Sequence, residues 1–562
     1  MMPHNDHEHR VVLYVFDGLM EQQADDPAVM PRLAQFRAKA ARCRTHRPIF
    51  PCVTRGNAAA IATGAFPGAH GMHANMLLLR DLSSTEATEA NFDSLKALHG
   101  VTGHALLAPS LGSMLAEHGL QYWGLGSWTN GCAAMHHPPD DAVDGSTGAT
   151  LHPEFSLPSS ANEVAIARFG PWPTAAPYPS EEDFNNGCIQ MQHALKIAME
   201  WIIPEVDPAV LCLWTCEQDH VQHYSGLGSE NTDTTGILGR ADAQFGEFLD
   251  WLEATGRDKT TNVLALSDHG HFTIEQPPQR LQKNGMAGVD AISVAPLLEG
   301  ALGLAAPAVV VAENAGGVML YLQDAADIER VAAWLMSQEY VGPVLATEGR
   351  GVPIPDGCLP LHVLGMQGPR APDLAFSFAW GSKMNQWGQA GFNFSAGKVN
   401  LAGGMAGLGT HGSLSPFDMR ACLAASGPAF LSDVDVTHAT GHPDVVPTVL
   451  AALGLNPRPA SVQGRPILAA LQPDLAAQAV AMSADAEAAV GEMIETTYEV
   501  ERSLPNGHHY SQRMVIGYEQ GGPRVGRLVS AEFSHRTAAE VGREEGRSST
   551  LAVAESGVGS KL

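Results

Sequence analysis

Three carboxylates and three imidazoles stand at turns of this chain where they could converge: Asp17, Asp219 with His223, the adjacent Asp268 and His269, and His411. Any one alone is a weak sign, because a strand-end Asp commonly caps a helix and a Gly-flanked His commonly completes a turn. Together they match the donors that two borderline divalent ions of the zinc type require, with positions left open for a substrate. Asp219 and His223 are four residues apart, the spacing at which two side chains meet on one helical turn. Thr54 adds a hydroxyl. It lies where the extended segment RPIFPCV gives way to a small-residue helix through Asn57–Thr63, stopped by Gly64, Pro67 and Gly68. The bland role for such a threonine is a helix N-cap. Its chemical role would be a nucleophile, since a helix start favours negative charge and a bound cation can make an alkoxide at neutral pH.

These groups need strands to deliver them. Val11–Phe16 reads as a buried strand ending at Asp17, Pro208–Thr215 as one ending before Asp219, and Asn262–Leu266 as one ending before Asp268. Helices are expected over Pro27–Ala41, Ser110–His118, Asn186–Val206, Thr232–Ala254 and Asp444–Leu453, and further strands at Tyr122–Gly126 and near Arg420–Ala425. Alternation of strand, acidic strand end and helix indicates an α/β fold, a doubly wound and mostly parallel sheet with helices on both faces. Two stretches interrupt it. Residues from Leu77 to about Gly187 are rich in Pro, Gly, Ser and Asn and read as an insertion or cap, not as sheet core. A second insertion runs from about Gln276 to Gly404, with strands at Ala308–Ala312 and Gly317–Leu322. The catalytic unit is thus expected over 1–470. Residues 471–562 form an extension: an Ala-rich helix, a strand-like stretch over Tyr498–Phe533 and a disordered Ser/Glu/Arg-rich end.

A formal net charge of −27, from 33 Lys and Arg against 60 Asp and Glu, argues against a nucleic acid polymer as a tightly held partner. It does not exclude a small phosphoester, because bound metal ions can outweigh the global balance locally. The polar start MMPHNDHEHR has no basic-then-apolar pattern and no apolar run is long enough to span a bilayer, so neither a secretory leader nor membrane association is expected. Eight scattered cysteines form no CxxC pair, which fits the reducing cytoplasm as the expected location.

Taken in order, the motifs FDG, PxFPxVTRxN…ATGxxPGxHGxxxN, DxxxH, SDHG and GxHG resemble the alkaline phosphatase superfamily. Within it they are most similar to the type I phosphodiesterase/nucleotide pyrophosphatase family, from Val11 to about Leu453. The resemblance implies two zinc ions, with manganese or iron as alternatives. One would be held by Asp17, Asp268 and His269 and share the Thr54 oxygen; the other would be held by Asp219, His223 and His411. It also implies that Asn75 hydrogen-bonds a non-bridging phosphoryl oxygen, and that Thr54 attacks in line to give a threonyl-phosphate that is then hydrolysed. His271 and His73 stand beside these motifs and are read as rim or supporting residues, with replacement of a lost ligand as the alternative for either, and His70 is read as fixing its loop.

Threonine-dependent monoesterases and phosphonoacetate hydrolase of this superfamily carry two basic residues on a loop, roughly as S/T-x-K-x-R/K. The nearest match here is Ser127-Trp128-Thr129-Asn130-Gly131, and no Lys or Arg occurs between Lys96 and Arg168. A dianionic phosphate or a carboxylate would lack charge-assisted partners there, although Arg55 offers one cation beside the nucleophile. The expected substrate is therefore a small-molecule phosphodiester or pyrophosphate. A phosphonate or phosphomonoester hydrolase, or a metal-dependent phosphosugar mutase, is the alternative. Phe92, Tyr122, Trp123 and Trp128 are candidates to stack a base or aryl leaving group, against the commoner role of aromatics in a core. A sulfatase is excluded, because Cys52-Val53-Thr54-Arg55 lacks the CxPxR nucleophile box.

Overall fold

The computed structural model describes residues 9–127, 133–136, 147–174, 188–278, 281, 291–396, 405–483, 493–504, 508–519, 526–536 and 540. Trp128, Cys132 and the Ser/Glu/Arg-rich end lie outside the described residues. The central sheet has nine strands: β1 (Arg10–Phe16), β2 (Ala41–Cys43), β3 (Tyr122–Gly126), β4 (Gly148–Leu151), β5 (Ser156–Leu157), β6 (Val210–Thr215), β7 (Thr261–Ser267), β8 (Leu423–Ser426) and β9 (Val434–Val436). Their order is β9-β2-β8-β7-β1-β6-β3-β4-β5. The run from β7 through β4 is parallel, and β5 and β8 pair antiparallel to it. The mixed α/β architecture with a mostly parallel central sheet is the one expected.

Both faces of the sheet are covered, which is why its strands read as unbroken apolar runs. Along β1, Val11, Leu13 and Val15 enter one core, and Val12, Tyr14 and Phe16 enter the other. Helix α1 (Thr54–Thr63) packs into the first of these cores through Ala58, Ala59 and Ile61. The longer helix α3 (Thr232–Ala254) fills the second with Phe245 and Phe248, between them in sequence lying α2 (Glu217–Ser225). Asn231 caps α3 by accepting from the Asp233 and Thr234 amides.

One expectation is corrected here. The segment 77–187 is not only a cap, because β3, β4 and β5 complete one side of the central sheet. The strand-poor composition had hidden two very short strands, of which Gly148–Leu151 is buried and Ser156–Leu157 lies half-buried at the sheet edge. Within the second insertion, strands Val309–Asn314, Gly317–Leu322, Val341–Ala346, Leu359–Pro360 and Leu374–Phe378 form a separate five-stranded sheet with its own core against helix Asp327–Met336. In the C-terminal extension, helix Pro473–Met482 is followed by an antiparallel three-stranded sheet of Met493–Ser503, His509–Glu519 and Arg527–Arg536. Among the described residues, no helix is long and apolar enough to cross a membrane.

Candidate active site

Register assembles the site. Phe16 pairs with Ser267 on one side and with Thr215 on the other, so Asp17, Asp268 and Cys216 are the first residues beyond three adjacent parallel strands. This is the carboxyl edge of the sheet, where ligands bind in open α/β folds. Gly18 adopts φ +67°, and its amide donates to Asp268 Oδ1 at 3.0 Å, locking the two acidic loops together. Asp17 Oδ2 accepts from the Trp214 indole at 3.0 Å, while its buried Oδ1 accepts no hydrogen bond.

Two groups of donors result. Asp17, Asp268 and His269 form one, and Asp219, His223, His271 and His411 form the other; within each, one ligand atom per residue lies within 4.8 Å of the rest. The three carboxylates and three imidazoles singled out in the sequence all lie in these two groups, together with His271. His73 does not, and it is fully buried with neither ring nitrogen hydrogen-bonded.

The four imidazoles are oriented alike. His223 Nδ1 donates to the Gly409 carbonyl at 2.9 Å, His269 Nδ1 to Gly270 at 3.0 Å, His271 Nδ1 to Gly18 at 2.9 Å and His411 Nδ1 to Cys52 at 2.9 Å. A carbonyl can only accept, so each bond places a proton on Nδ1 and turns Nε2 toward the cluster. The His269 and His411 rings stack with centroids 3.6 Å apart. Burial pushes the His269 pKa down to about 3, and burial together with His269 holds His411 well below its ordinary value. His223 differs: burial opposes its proton, yet the adjoining Asp219 carboxylate raises its pKa overall. Burial, with Asp268 and Asp219 close by, pushes the Asp17 carboxyl well above the usual range. Asp219, despite burial, is held well below that range by His223 and His271. Crowded carboxylates, an unsatisfied Asp17 oxygen and imidazoles presenting Nε2 are a donor set that fits divalent cations.

Thr54 is the first residue of α1, with Val53 in the extended cap position, so its hydroxyl is not spent on capping. That hydroxyl donates to His269 Nε2 at 3.2 Å. Asn57 holds the entry to the helix, accepting from the Ile49 amide at 2.8 Å and donating to the Val53 carbonyl at 3.1 Å. Asn75 Oδ1 accepts the Arg55 amide at 2.9 Å, which leaves its Nδ2 as the donor available to a ligand.

Other candidates fare differently. Arg55 is engaged with Glu89 at 2.6 Å. Phe92 stacks flat on Phe155, centroids 4.2 Å apart. Trp123 is buried edge-on against Trp201 in the core below the other sheet face, and Tyr122 is buried with its hydroxyl 2.8 Å from His136 Nδ1. Neither is offered to a substrate. Asp418 escaped notice in the sequence. It accepts from the Cys52 thiol at 3.1 Å and the Ser413 amide at 2.7 Å, and its own carbonyl accepts from the Gly270 amide at 2.9 Å. One buried residue thereby ties together the loops bearing Thr54, His411 and His269, but an Asp within SPFDMR carries no local sign of that task.

The family model for type I phosphodiesterase / nucleotide pyrophosphatase matches residues 11–284. Over those residues, just under half of its length, the chain is similar to that family. The description of that model names a hydrolase class, and the chain carries two residue groups able to hold metal ions. Among solved structures the chain is similar to murine ectonucleotide pyrophosphatase / phosphodiesterase 5, at 14% identity over 80% of this chain and 96% of that one, with a TM-score of 0.53. An inactive threonine-to-alanine variant of that protein, in complex with AMP, is similar at 14% identity over the same shares, with a TM-score of 0.54. Phosphonoacetate hydrolase from Sinorhizobium meliloti 1021, in complex with phosphonoformate, is similar at 17% identity over 79% of this chain and 95% of that one, with a TM-score of 0.53. At these identities the likeness speaks for the fold. No curated protein matches the sequence.

Proposed function

We propose that this protein hydrolyses phosphodiester or pyrophosphate bonds of small molecules, with Thr54 as nucleophile and two divalent ions, zinc by donor type, as cofactors. The observation that carries the reading is the Thr54 hydroxyl lying 3.2 Å from His269 Nε2, at the edge of the Asp17, Asp268 and His269 group. Asp17, Asp268 and His269 would hold one ion, and Asp219, His223 and His411 the other. When bound, the ions would lower the pKa of the hydroxyl and of water and offset the charge of the phosphoryl group.

The chain's own residues do the rest. The α1 backbone and Asn57 fix Thr54 Oγ1 for in-line attack; an O–P bond forms as the bond to the leaving alcohol or phosphate breaks. Asn75 Nδ2 donates to a non-bridging oxygen whose charge rises during that step, its amide held by the Arg55 N–H. Water then displaces Thr54 from phosphorus and restores the hydroxyl. The AMP complex of the murine structure supports a nucleotide-like diester or pyrophosphate, and the engagement of Arg55 by Glu89 disfavours a dianionic monoester. Parallel assays with zinc on bis-p-nitrophenyl phosphate, p-nitrophenyl phosphate and phosphonoacetate test this. The first should turn over fastest; preference for the third would replace the diester reading by the phosphonate one.

A further inference from the structure

Resting on the two-ion reading above, we infer that His271 is a fourth protein ligand to the ion held by Asp219, His223 and His411. His271 follows His269 by two residues, across Gly270, and opens the strand Phe272–Ile274. That strand pairs antiparallel with Gly409–Thr410, Phe272 opposite Thr410, which brings His271 beside His411 with ring centroids 5.3 Å apart. The turn is possible because Gly270 has no side chain: a Cβ there would stand 2.8 Å from the Phe417 carbonyl oxygen.

The ring is committed on one side only. Its Nδ1 proton goes to the Gly18 carbonyl at 2.9 Å, while Nε2 is fully buried, makes no hydrogen bond and lies 3.1 Å from Asp219 Oδ1. His411 Nε2 approaches that same oxygen at 3.9 Å, and His223 Nε2 lies 3.4 Å from its partner Oδ2. A buried lone pair with no donor is costly, and a cation shared with three converging donors removes the cost.

Three imidazoles and one carboxylate would supply that ion with four protein donors, and zinc can still add a substrate oxygen as a fifth. The two positions are then unlike. The Asp17, Asp268 and His269 position is richer in carboxylate and retains room for the Thr54 oxygen. The Asp219 position is imidazole-rich and has the larger number of protein donors, so it should load first and release its ion last.

The test uses the full chain, stripped with a chelator and titrated with Zn2+ against a chromogenic competitor and with Co2+ by visible absorption. Wild type and the variants His271→Met and His271→Gln are compared. Wild type should take two equivalents, the first more tightly; both variants should lose about tenfold or more in affinity for that equivalent, with a changed Co2+ spectrum. The rise in Tm from metal-free to Zn2+-loaded protein should shrink in each variant, a difference that cancels any effect on the metal-free fold. Two equivalents in wild type with equal or tighter binding in both variants would overturn the assignment of His271 and leave the two-ion reading standing. Fewer than two equivalents in wild type would overturn both.

Discussion

The Thr54 hydroxyl donates to His269 Nε2 across 3.2 Å, joining the start of a helix to a strand end 215 residues further along the chain. If Thr54 is the nucleophile and not a cap, Thr54→Ala should lower turnover of the preferred diester by at least about a thousandfold. Metal content by mass spectrometry should be retained, because six other donors stay in place. An active, metal-replete Thr54→Ala protein would end the nucleophile assignment.

Gly18 is required by what surrounds it. At φ +67°, a Cβ there would stand 2.4 Å from His271 Cε1 and 2.7 Å from Asp219 Oδ1. Gly18→Ala should therefore push two donors out of place and weaken metal retention about tenfold or more on dialysis, besides straining the backbone by ~1 kcal/mol. Gly236, inside α3, has nothing within 4 Å of its hypothetical Cβ. Gly236→Ala should raise stability by about 0.5–1 kcal/mol in urea titration and leave metal content unchanged.

The strand-end acids were legible because a strand buried on both faces reads as an apolar run, and its first polar residue marks the carboxyl edge. The same property concealed the roles of Tyr122 and Trp123. On a doubly covered strand, alternate residues enter different cores, and nothing local says which face Trp123 takes. Strands Gly148–Leu151 and Ser156–Leu157 were invisible for a related reason: segments this short are strands only because β3 offers an edge to the first and the first offers one to the second. Asp418 and His271 depend on convergence of loops distant in sequence, which no spacing rule encodes.

His73 makes a pH-dependent contribution of known sign. Burial, with Arg370 nearby, lowers its pKa to about 3, against about 6.5 for an exposed His. Between those values the unfolded chain binds a proton that the folded one refuses, so stability falls as pH drops below about 6.5. The loss is ~1.4 kcal/mol per pH unit at most for one such group. His73→Leu should therefore narrow the gap in urea midpoint between pH 7.5 and pH 5 relative to wild type, by an amount equivalent to ~2 kcal/mol. An unchanged gap would mean that His73 is not held neutral in the fold.

The C-terminal sheet is fastened to the catalytic unit by a buried ion pair. Arg527 Nε donates to Asp444 Oδ2 at 2.6 Å, and Nη2 to Oδ1 of the same carboxylate. Asp444 stands immediately before helix Val445–Ala452 and also accepts from the Gly441 and Arg465 amides, at 2.8 Å and 2.9 Å. Gln512 adds donations to the carbonyls of Val344 and Gly357, at 2.7 Å and 2.6 Å, on the insertion side. Removing one partner of a buried pair costs more than the pair contributes, because the other charge is stranded. Arg527→Ala should lower stability by about 3–5 kcal/mol in chemical denaturation. The double variant Arg527→Met with Asp444→Asn should recover part of that, since no buried charge is left unpaired. If Arg527→Ala melts like wild type, the extension does not dock through this contact, and the catalytic unit does not depend on it.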